Sequence, residues 1–256
     1  MKILVTNDDG VFAEGIYKLA VALSTIGNVT VVAPDRQRSA TGHAITMHDP
    51  IRAEKVRFFD TMIEAWSVSG TPADCVKLGI EVLIKEKPDI VFSGINRGPN
   101  LGTDVLYSGT VSAAIEGSIL GVPAVAVSLA AFKDTNYDPT ASFCCLLAKK
   151  MMENKLPAET LLNVNVPNCK EHELKGVDIT ILGVRKYQNS FIERIDPRGQ
   201  TYYWMGGELV EIESEKGTDV YSIQNNKISV TPIHFDLTKF DLIKEIEGWH
   251  IPLREI

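Results

Sequence analysis

No apolar run in this 256-residue chain approaches the roughly 20 residues that a membrane-spanning helix needs. A helical membrane protein is thereby excluded. Long basic runs are missing too. The net charge is −7, so the positive surface that binds nucleic-acid backbones is absent, and a nucleic acid duplex is not an expected partner. A small nucleotide is not excluded, because a metal ion supplies positive charge locally. The N-terminus is strand-like at once, with no basic stretch leading into a signal-type apolar segment, so a cytoplasmic location is expected. Cysteine is scarce. Cys75, Cys144, Cys145 and Cys169 show no C-x-x-C spacing, and the adjacent pair suits no structural disulfide. They read as small buried hydrophobes, and no zinc site is visible. Internal repeats and low-complexity tracts are absent.

What is present is an alternation of strand and helix signals. Ile3, Leu4 and Val5 open as a buried strand that ends in Asp8, Asp9 and Gly10. Ile16, Leu19, Ala20 and Leu23 share one helical face. Residues 29–33 form a second strand, ended by Pro34-Asp35, and residues 66–70 a short third one. Thr71-Pro72-Ala73-Asp74 has the pattern of a capping box opening a helix that runs to about residue 84. A strand at 90–92 follows, then a helix opened by Thr110, a strand at 124–129, a helix from Asp138 to about Asn154, and a strand at 161–166. Apolar strands alternating with helices predict an α/β fold. It is a Rossmann-like, doubly wound, mainly parallel sheet.

The character changes near residue 184. Residues 190–213 read as a β-hairpin, with strands at 191–195 and 201–204 around the turn Asp196-Pro197-Arg198-Gly199. A strand at 228–233 and a last helix, capped by Asp236 and carrying Leu237, Phe240, Ile243 and Ile246, complete the chain. The expected organisation is a catalytic core at 1–183 and a smaller C-terminal hairpin and helix extension at 184–256. A lone hairpin is marginal in water, so the aromatic arm is expected to pack on another subunit. Folding back over its own sheet is the alternative.

Four polar clusters fall at strand ends or helix starts, which share one edge in a doubly wound sheet. They are Asp8-Asp9, the stretch from Arg36 through Ser39 to His43, the stretch from Asn96 to Gly102, and Tyr107-Ser108-Gly109-Thr110. Alone, the acid pair is as readily a turn or a helix cap. Ser39 adds a hydroxyl and Asn96 an amide oxygen. Together they make a hard oxygen set suited to Mg²⁺, Mn²⁺ or Ca²⁺, with positions left for water and substrate. The start of the next helix offers free N–H groups to a phosphate. Gly109 permits close approach, and Ser108 and Thr110 add donors; plain N-capping by Thr110 is the alternative. Arg36, Arg38 and Arg97 are either supporting positive charges or solvent-facing. His43 is either a proton shuttle or substrate contact, or a hydrogen-bonded structural residue.

These stretches closely resemble the SurE (stationary-phase survival) family. The resemblance rests on Thr-Asn-Asp-Asp-Gly at 6–10, Ala-Pro-Asp-Arg-Gln-Arg-Ser at 33–39 and Ser-Gly-Thr-Pro-Ala-Asp-Cys-Val at 69–76. It rests equally on Ser-Gly-Ile-Asn-Arg-Gly-Pro-Asn-Leu-Gly at 93–102, Tyr-Ser-Gly-Thr-Val-Ser-Ala-Ala at 107–114 and Ile-Ser-Val-Thr-Pro at 228–232. The resemblance implies a metal-dependent 5′-nucleotidase that hydrolyses nucleoside 5′-monophosphates, with 3′-monophosphates and short polyphosphate as further substrates of some members. It implies one divalent ion per subunit, Mg²⁺ or Mn²⁺, held by Asp8, Asp9, Ser39 and Asn96. Catalysis would fall to Asp8, Asp9 and Asn96, and phosphate or substrate binding to Ser108, Gly109, Thr110, His43 and Arg97. It also implies a homodimer or homotetramer with exchanged C-terminal elements. A signalling receiver domain fits less well, because the third strand end carries Ser69-Gly70-Thr71 where a phospho-accepting aspartate is needed. A haloacid-dehalogenase-type phosphatase wants its two aspartates one residue apart. A non-catalytic, metal-dependent nucleotide-binding module is the remaining alternative.

Overall fold

The computed structural model describes residues 1–189, 191–210, 214–249 and 251. Strand β1 (Lys2–Thr6) is buried from Ile3 onward, as expected of a strand covered on both faces. Helix α1 (Glu14–Ser24) leads to β2 (Asn28–Pro34), which pairs parallel with β1. Strands β3 (Ala53–Arg57) and β4 (Glu64–Val68) pair antiparallel, and β4 runs parallel to β2. Then come α2 (Pro72–Leu78), β5 (Ile90–Arg97), α3 (Gly109–Ile119), β6 (Ala124–Ala130), α4 (Asp138–Glu153) and β7 (Thr160–Pro167). Strands β5, β6 and β7 add in parallel on the other side of β1. The chain continues through β8 (Val177–Ile179), β9 (Tyr187–Gln188), β10 (Phe191–Ile195), β11 (Thr201–Met205) and β12 (Glu208–Leu209). It ends with α5 (Asp219–Gln224), β13 (Ile228–His234) and α6 (Ile243–Glu247).

Among the described residues nine strands form one sheet, ordered β3-β4-β2-β1-β5-β6-β7-β13-β8. Side chains alternate faces along each strand, and this splits the interior into two cores. Ile3, Val5, Val31, Phe92 and Val127 face α1 and α4; Leu4, Val32, Val91 and Ala126 face α2 and α3. The fold is therefore α/β with a mainly parallel sheet. From β1 the chain first builds outward through β2 and β4, then returns to place β5 on the other flank. Strand order reverses between β1 and β5, which is where such sheets bind ligands, outside the carboxyl ends. No helix among the described residues is long and apolar enough to cross a membrane.

Local structure follows the expectations at several points and departs at others. The capping box is present: Thr71 Oγ1 accepts the Asp74 N–H at 3.1 Å, and Asp74 Oδ2 accepts the Thr71 N–H at 2.8 Å. Both residues also hold the loop that follows β2. Thr71 donates its hydroxyl to the Ala44 carbonyl (2.8 Å), and Asp74 accepts the Thr46 N–H (3.1 Å). The helix reaches residue 83 as expected, but its last turn, Gly79–Leu83, is a π-turn closed by Ile84 N–H to Gly79 O. Strand β3 was not expected. Its sequence, Ala-Glu-Lys-Val-Arg, is that of a charged, largely exposed edge strand. Strand β5 runs on past Phe92 to Arg97, with an irregularity in its pairing to β6 between Ser93 and Asn96.

The sheet crosses the expected division at 183/184. Strand β13 pairs antiparallel with β7 and parallel with β8, so residues from the extension complete the central sheet. The rest of the extension is an arm. Strands β10 and β11 pair from Phe191↔Met205 to Ile195↔Thr201, and β9 pairs with β12 at its base. Residues 190 and 211–213 of the expected hairpin, and 250 and 252–256 at the C-terminus, lie outside the described residues. The last helix starts later than expected. Asp236 closes a local turn by accepting the Thr238 N–H (2.8 Å), and Phe240–Leu242 form a 3₁₀ turn before α6.

Candidate active site

The turn after β1 is closed by Asn7. Its Nδ2 donates to the Gly10 carbonyl (2.9 Å) and its Oδ1 accepts the Gly10 N–H (3.2 Å). This presents Asp8 and Asp9 side by side at the switch point. Asp8 is 4% exposed and faces the start of α3. Its Oδ1 accepts the Thr110 hydroxyl at 2.7 Å and its Oδ2 the Thr110 N–H at 3.2 Å. Asp9 faces the end of β5, where its Oδ2 accepts the Arg97 N–H at 3.2 Å.

Ser39 joins through a residue that sequence reasoning passed over. Gln37 Nε2 donates to Ser39 Oγ at 2.8 Å and makes a longer contact of 3.4 Å with Asp9 Oδ1. The same loop is tied to the acid pair by the Arg38 N–H, which donates to the Asp8 carbonyl at 2.7 Å. Asn96 is the neighbour of Arg97 and is half-buried. Its Nδ2 donates to the Gly98 carbonyl (2.8 Å), which leaves Oδ1 for another partner. Asp8 and Asp9 from the loop after β1, Ser39 from the loop after β2 and Asn96 from the end of β5 thus lie on one edge of the sheet.

The helix start differs from the expectation in one informative way. Ser108, not Thr110, is the N-cap: its Oγ accepts the Val111 N–H at 3.1 Å. Thr110 is released from capping and bonds Asp8 instead. Gly109 is required by close approach. A Cβ built there would lie 2.9 Å from both Asp8 Cβ and Asp8 Oδ2, and 3.3 Å from the Arg38 carbonyl oxygen.

Burial raises both acids. Burial pushes the Asp8 carboxyl up to about 6; the Thr110 hydroxyl pulls against this and the Asp9 charge adds to it. Burial also raises Asp9, opposed by the Arg97 amide and guanidinium. Burial thus weighs on the charged form of both neighbouring carboxyls, a cost that a cation bound between them would offset. Two carboxylates, a hydroxyl and an amide oxygen form a hard donor set, suited to Mg²⁺ or Mn²⁺. Among the described residues no group of three or more His, Cys, Asp or Glu side chains is placed to hold a metal, so a softer, histidine-rich or thiolate site is not an alternative there.

The other candidates fall in different places. Arg38 donates to the Ser69 carbonyl (2.6 Å) and lies 3.6 Å from Asp35, so its guanidinium clamps the loop to the end of β4. Arg36 is exposed beside Asp35, and Arg97 projects into solvent next to Asp9. His43 is not brought to the acid pair. Its Nε2 lies 2.9 Å from Glu116 Oε2, two turns into α3, and Glu116 also meets Lys77 at 3.3 Å. Glu116 is buried, and its bond to His43 holds its carboxyl below the usual range despite that burial. Asn100 serves structure: its N–H, amide and carbonyl bond Asn165, Ser128 and Asn163 beneath the site. Gln37 and Asn7 sit inside the quoted motifs, a signal that marks them as more than turn formers. Glu116 lies outside every motif and had no local signal.

A family model for the survival protein SurE matches residues 3–189. The 5′-nucleotidase SurE of Alkaliphilus metalliredigens is 56% identical over 98% of this chain and 99% of its own. That of Heliobacterium modesticaldum is 53% identical over 97% of this chain and 92% of its own. The crystal structure of the SurE protein from Aquifex aeolicus superposes with a TM-score of 0.85 at 42% identity, covering 98% of this chain and all of that one. Likeness of this depth, over the sheet and over every loop that carries the acid pair's neighbours, makes this chain a member of the SurE family.

Proposed function

We propose that the protein is a divalent-metal-dependent phosphatase that hydrolyses nucleoside 5′-monophosphates to nucleoside and inorganic phosphate. The observation that carries this reading is Asp8, buried and accepting two hydrogen bonds from Thr110 at the first turn of α3. An anionic metal site and an anion-binding helix start are thereby joined in one unit. Curated relatives more than half identical bear the name 5′-nucleotidase, which supports the same reading.

One ion per subunit, Mg²⁺ or Mn²⁺, would be held by Asp8, Asp9, Ser39 and Asn96. Such an ion supplies Lewis-acid charge for a phosphoryl oxygen and makes water acidic enough to attack at neutral pH. The chain's own groups do the positioning. Ser108 accepts the Val111 N–H, which leaves its hydroxyl proton free for donation to a phosphoryl oxygen. The Thr110 and Val111 N–H groups are taken by Asp8 and Ser108, so the Gly109 N–H is the first-turn amide left for the same anion, where developing charge is best stabilised. Arg97, exposed beside Asp9, is the cation at the mouth. His43 acts on the loop: bonded to Glu116, it fastens the segment that carries Ser39.

The arm is proposed to serve assembly into a homodimer or homotetramer with exchanged C-terminal elements. Phe191, Ile195, Tyr203 and Met205 are exposed on one face of it and Trp204 on the other, apolar surface that a monomer leaves wet. Trp204→Glu combined with Phe191→Glu should lower the mass seen by light scattering; an unchanged mass would refute the arm's role. The four cysteines are unpaired, which supports a reducing, cytoplasmic place of work.

The functional test is phosphate release from a panel of nucleoside 5′- and 3′-monophosphates and short polyphosphate, with Mg²⁺ or Mn²⁺ and with EDTA. Release that requires metal is expected for the 5′-monophosphates. Tight nucleotide binding without release would establish the non-catalytic binding module instead.

A further inference from the structure

Single exposed apolar side chains need no explanation, but their clustering does. Among the described residues of 1–183, three aromatic side chains are exposed: Phe12, Tyr107 and Phe132. All three stand at the carboxyl edge of the sheet. Phe12 follows the acid pair, Tyr107 precedes Ser108, and Phe132 lies two residues beyond β6. Phe12 already has an aromatic neighbour, packing edge-on against Phe59 with ring centroids 6.2 Å apart.

Phe132 is differently built. It is 70% exposed, yet one edge of its ring is seated on Gly98. A Cβ built on Gly98 would fall 2.3 Å from Phe132 Cε1 and 2.8 Å from Cζ. Gly98 also has φ +112°, a conformation that favours glycine. The seat is continuous with the metal-site loop. The Gly98 carbonyl is the one that accepts Asn96 Nδ2, and Gly98 is two residues beyond Asn96, about 7 Å of chain at full extension. Two more features fix the ring's loop. The Leu129 carbonyl accepts both the Gly98 N–H (3.0 Å) and the Ala131 N–H (2.7 Å). Asn168 donates to the Asp134 carbonyl (3.1 Å) and accepts the Asn136 N–H (3.2 Å). An aromatic ring is thus held on rigid backbone beside the phosphate-processing end, with most of its surface open.

We propose that Phe132 is the platform on which the nucleobase of the substrate stacks. The proposal rests on the nucleotidase reading and names how that site holds the nucleoside end. Phenylalanine carries no donor or acceptor, and every base has a π-face, so such a platform binds bases through surface rather than through a hydrogen-bond code.

The test compares AMP with ribose 5-phosphate, which lacks the base. Phe132→Ala should lower the ratio of kcat/KM for AMP over ribose 5-phosphate about tenfold, chiefly through KM for AMP. Phe132→Trp should keep or raise that ratio. An unchanged ratio in Phe132→Ala overturns the proposal, as does an equal loss on both substrates. Tyr107→Ala is run in parallel; a collapse of the ratio there and not in Phe132→Ala assigns the platform to Tyr107 and also overturns it. Adenosine binding by calorimetry in EDTA gives the same comparison without turnover. Binding weakened about tenfold in Phe132→Ala is expected, and no binding by the wild type, with AMP hydrolysis intact, counts against the platform. If no phosphate is released from AMP at all, the nucleotidase reading fails, and the adenosine measurement still decides the role of Phe132.

Discussion

Asp8→Asn lowers kcat by at least about 10³-fold, because it removes one of the two charges that hold the metal where phosphoryl charge develops. The same change stabilises the metal-free protein at neutral pH. Asp8 is buried, and its carboxyl is pushed from 3.8 to about 6. The folded chain therefore holds this proton more tightly than the unfolded chain does. The stability contributed by neutral Asp8 is complete below about pH 4 and is lost as the pH rises through about 6. At about 1.4 kcal/mol per pH unit, the cost of burying the charged form at pH 7.5 is about 3 kcal/mol. An asparagine does not bear it. Thermal unfolding in EDTA at pH 7.5 should show the variant melting roughly 5–10 °C above the wild type, with little advantage at pH 4. Mn²⁺ should raise the wild-type midpoint and leave the variant's almost unmoved. A variant that melts lower than the wild type at pH 7.5 would mean that Asp8 is a structural acid, held by Thr110 for the fold alone.

Gly109→Ala costs about 10²-fold in kcat while lowering the melting temperature by at most several degrees. The new methyl carbon falls 2.9 Å from Asp8 Oδ2, which is itself pinned by the Thr110 N–H at 3.2 Å. Neither side yields freely. Either Asp8 or the first turn of α3 shifts by several tenths of an ångström or more, and misplacement near 1 Å is worth about 10²-fold in rate. Overpacking of this kind costs about 1–3 kcal/mol. Alanine returns up to about 1 kcal/mol through its better helix propensity. The two effects oppose each other in stability and not in catalysis, so the loss appears in rate. Steady-state kinetics with thermal unfolding on the same sample separates them; wild-type kcat in a folded variant would remove Gly109 from the phosphate cradle.

Much of the core was legible because it depends on local pattern. The apolar β1 running into Asp8-Asp9, the capping box of Thr71 and Asp74, and the closely spaced helices and strands from 90 to 167 are each set by residues within one turn or one strand of each other. What was not legible depends on long-range partners. β3 is a charged edge strand whose only reason to be extended is β4 beside it. β13 belongs to the sheet because β7 offers an open edge, a pairing between residues more than 60 apart. The residue chosen as cap illustrates the same limit within the site. Ser108 and Thr110 are equally good caps by composition; Asp8, a hundred residues earlier, decides between them by taking the Thr110 hydroxyl. His43 went to Glu116 for a like reason, since nothing near His43 in sequence points to a buried acid on α3.

Asp8, Asp9, Ser39 and Asn96 are proposed to form one divalent-metal site. Titration of the metal-free protein with Mn²⁺, following free ion by its electron paramagnetic resonance signal, tests it most directly. The wild type should take up about one Mn²⁺ per subunit, displaced by excess Mg²⁺, and the folded Asp8→Asn/Asp9→Asn double variant should lose that uptake. Equal Mn²⁺ uptake by the wild type and the double variant would contradict it.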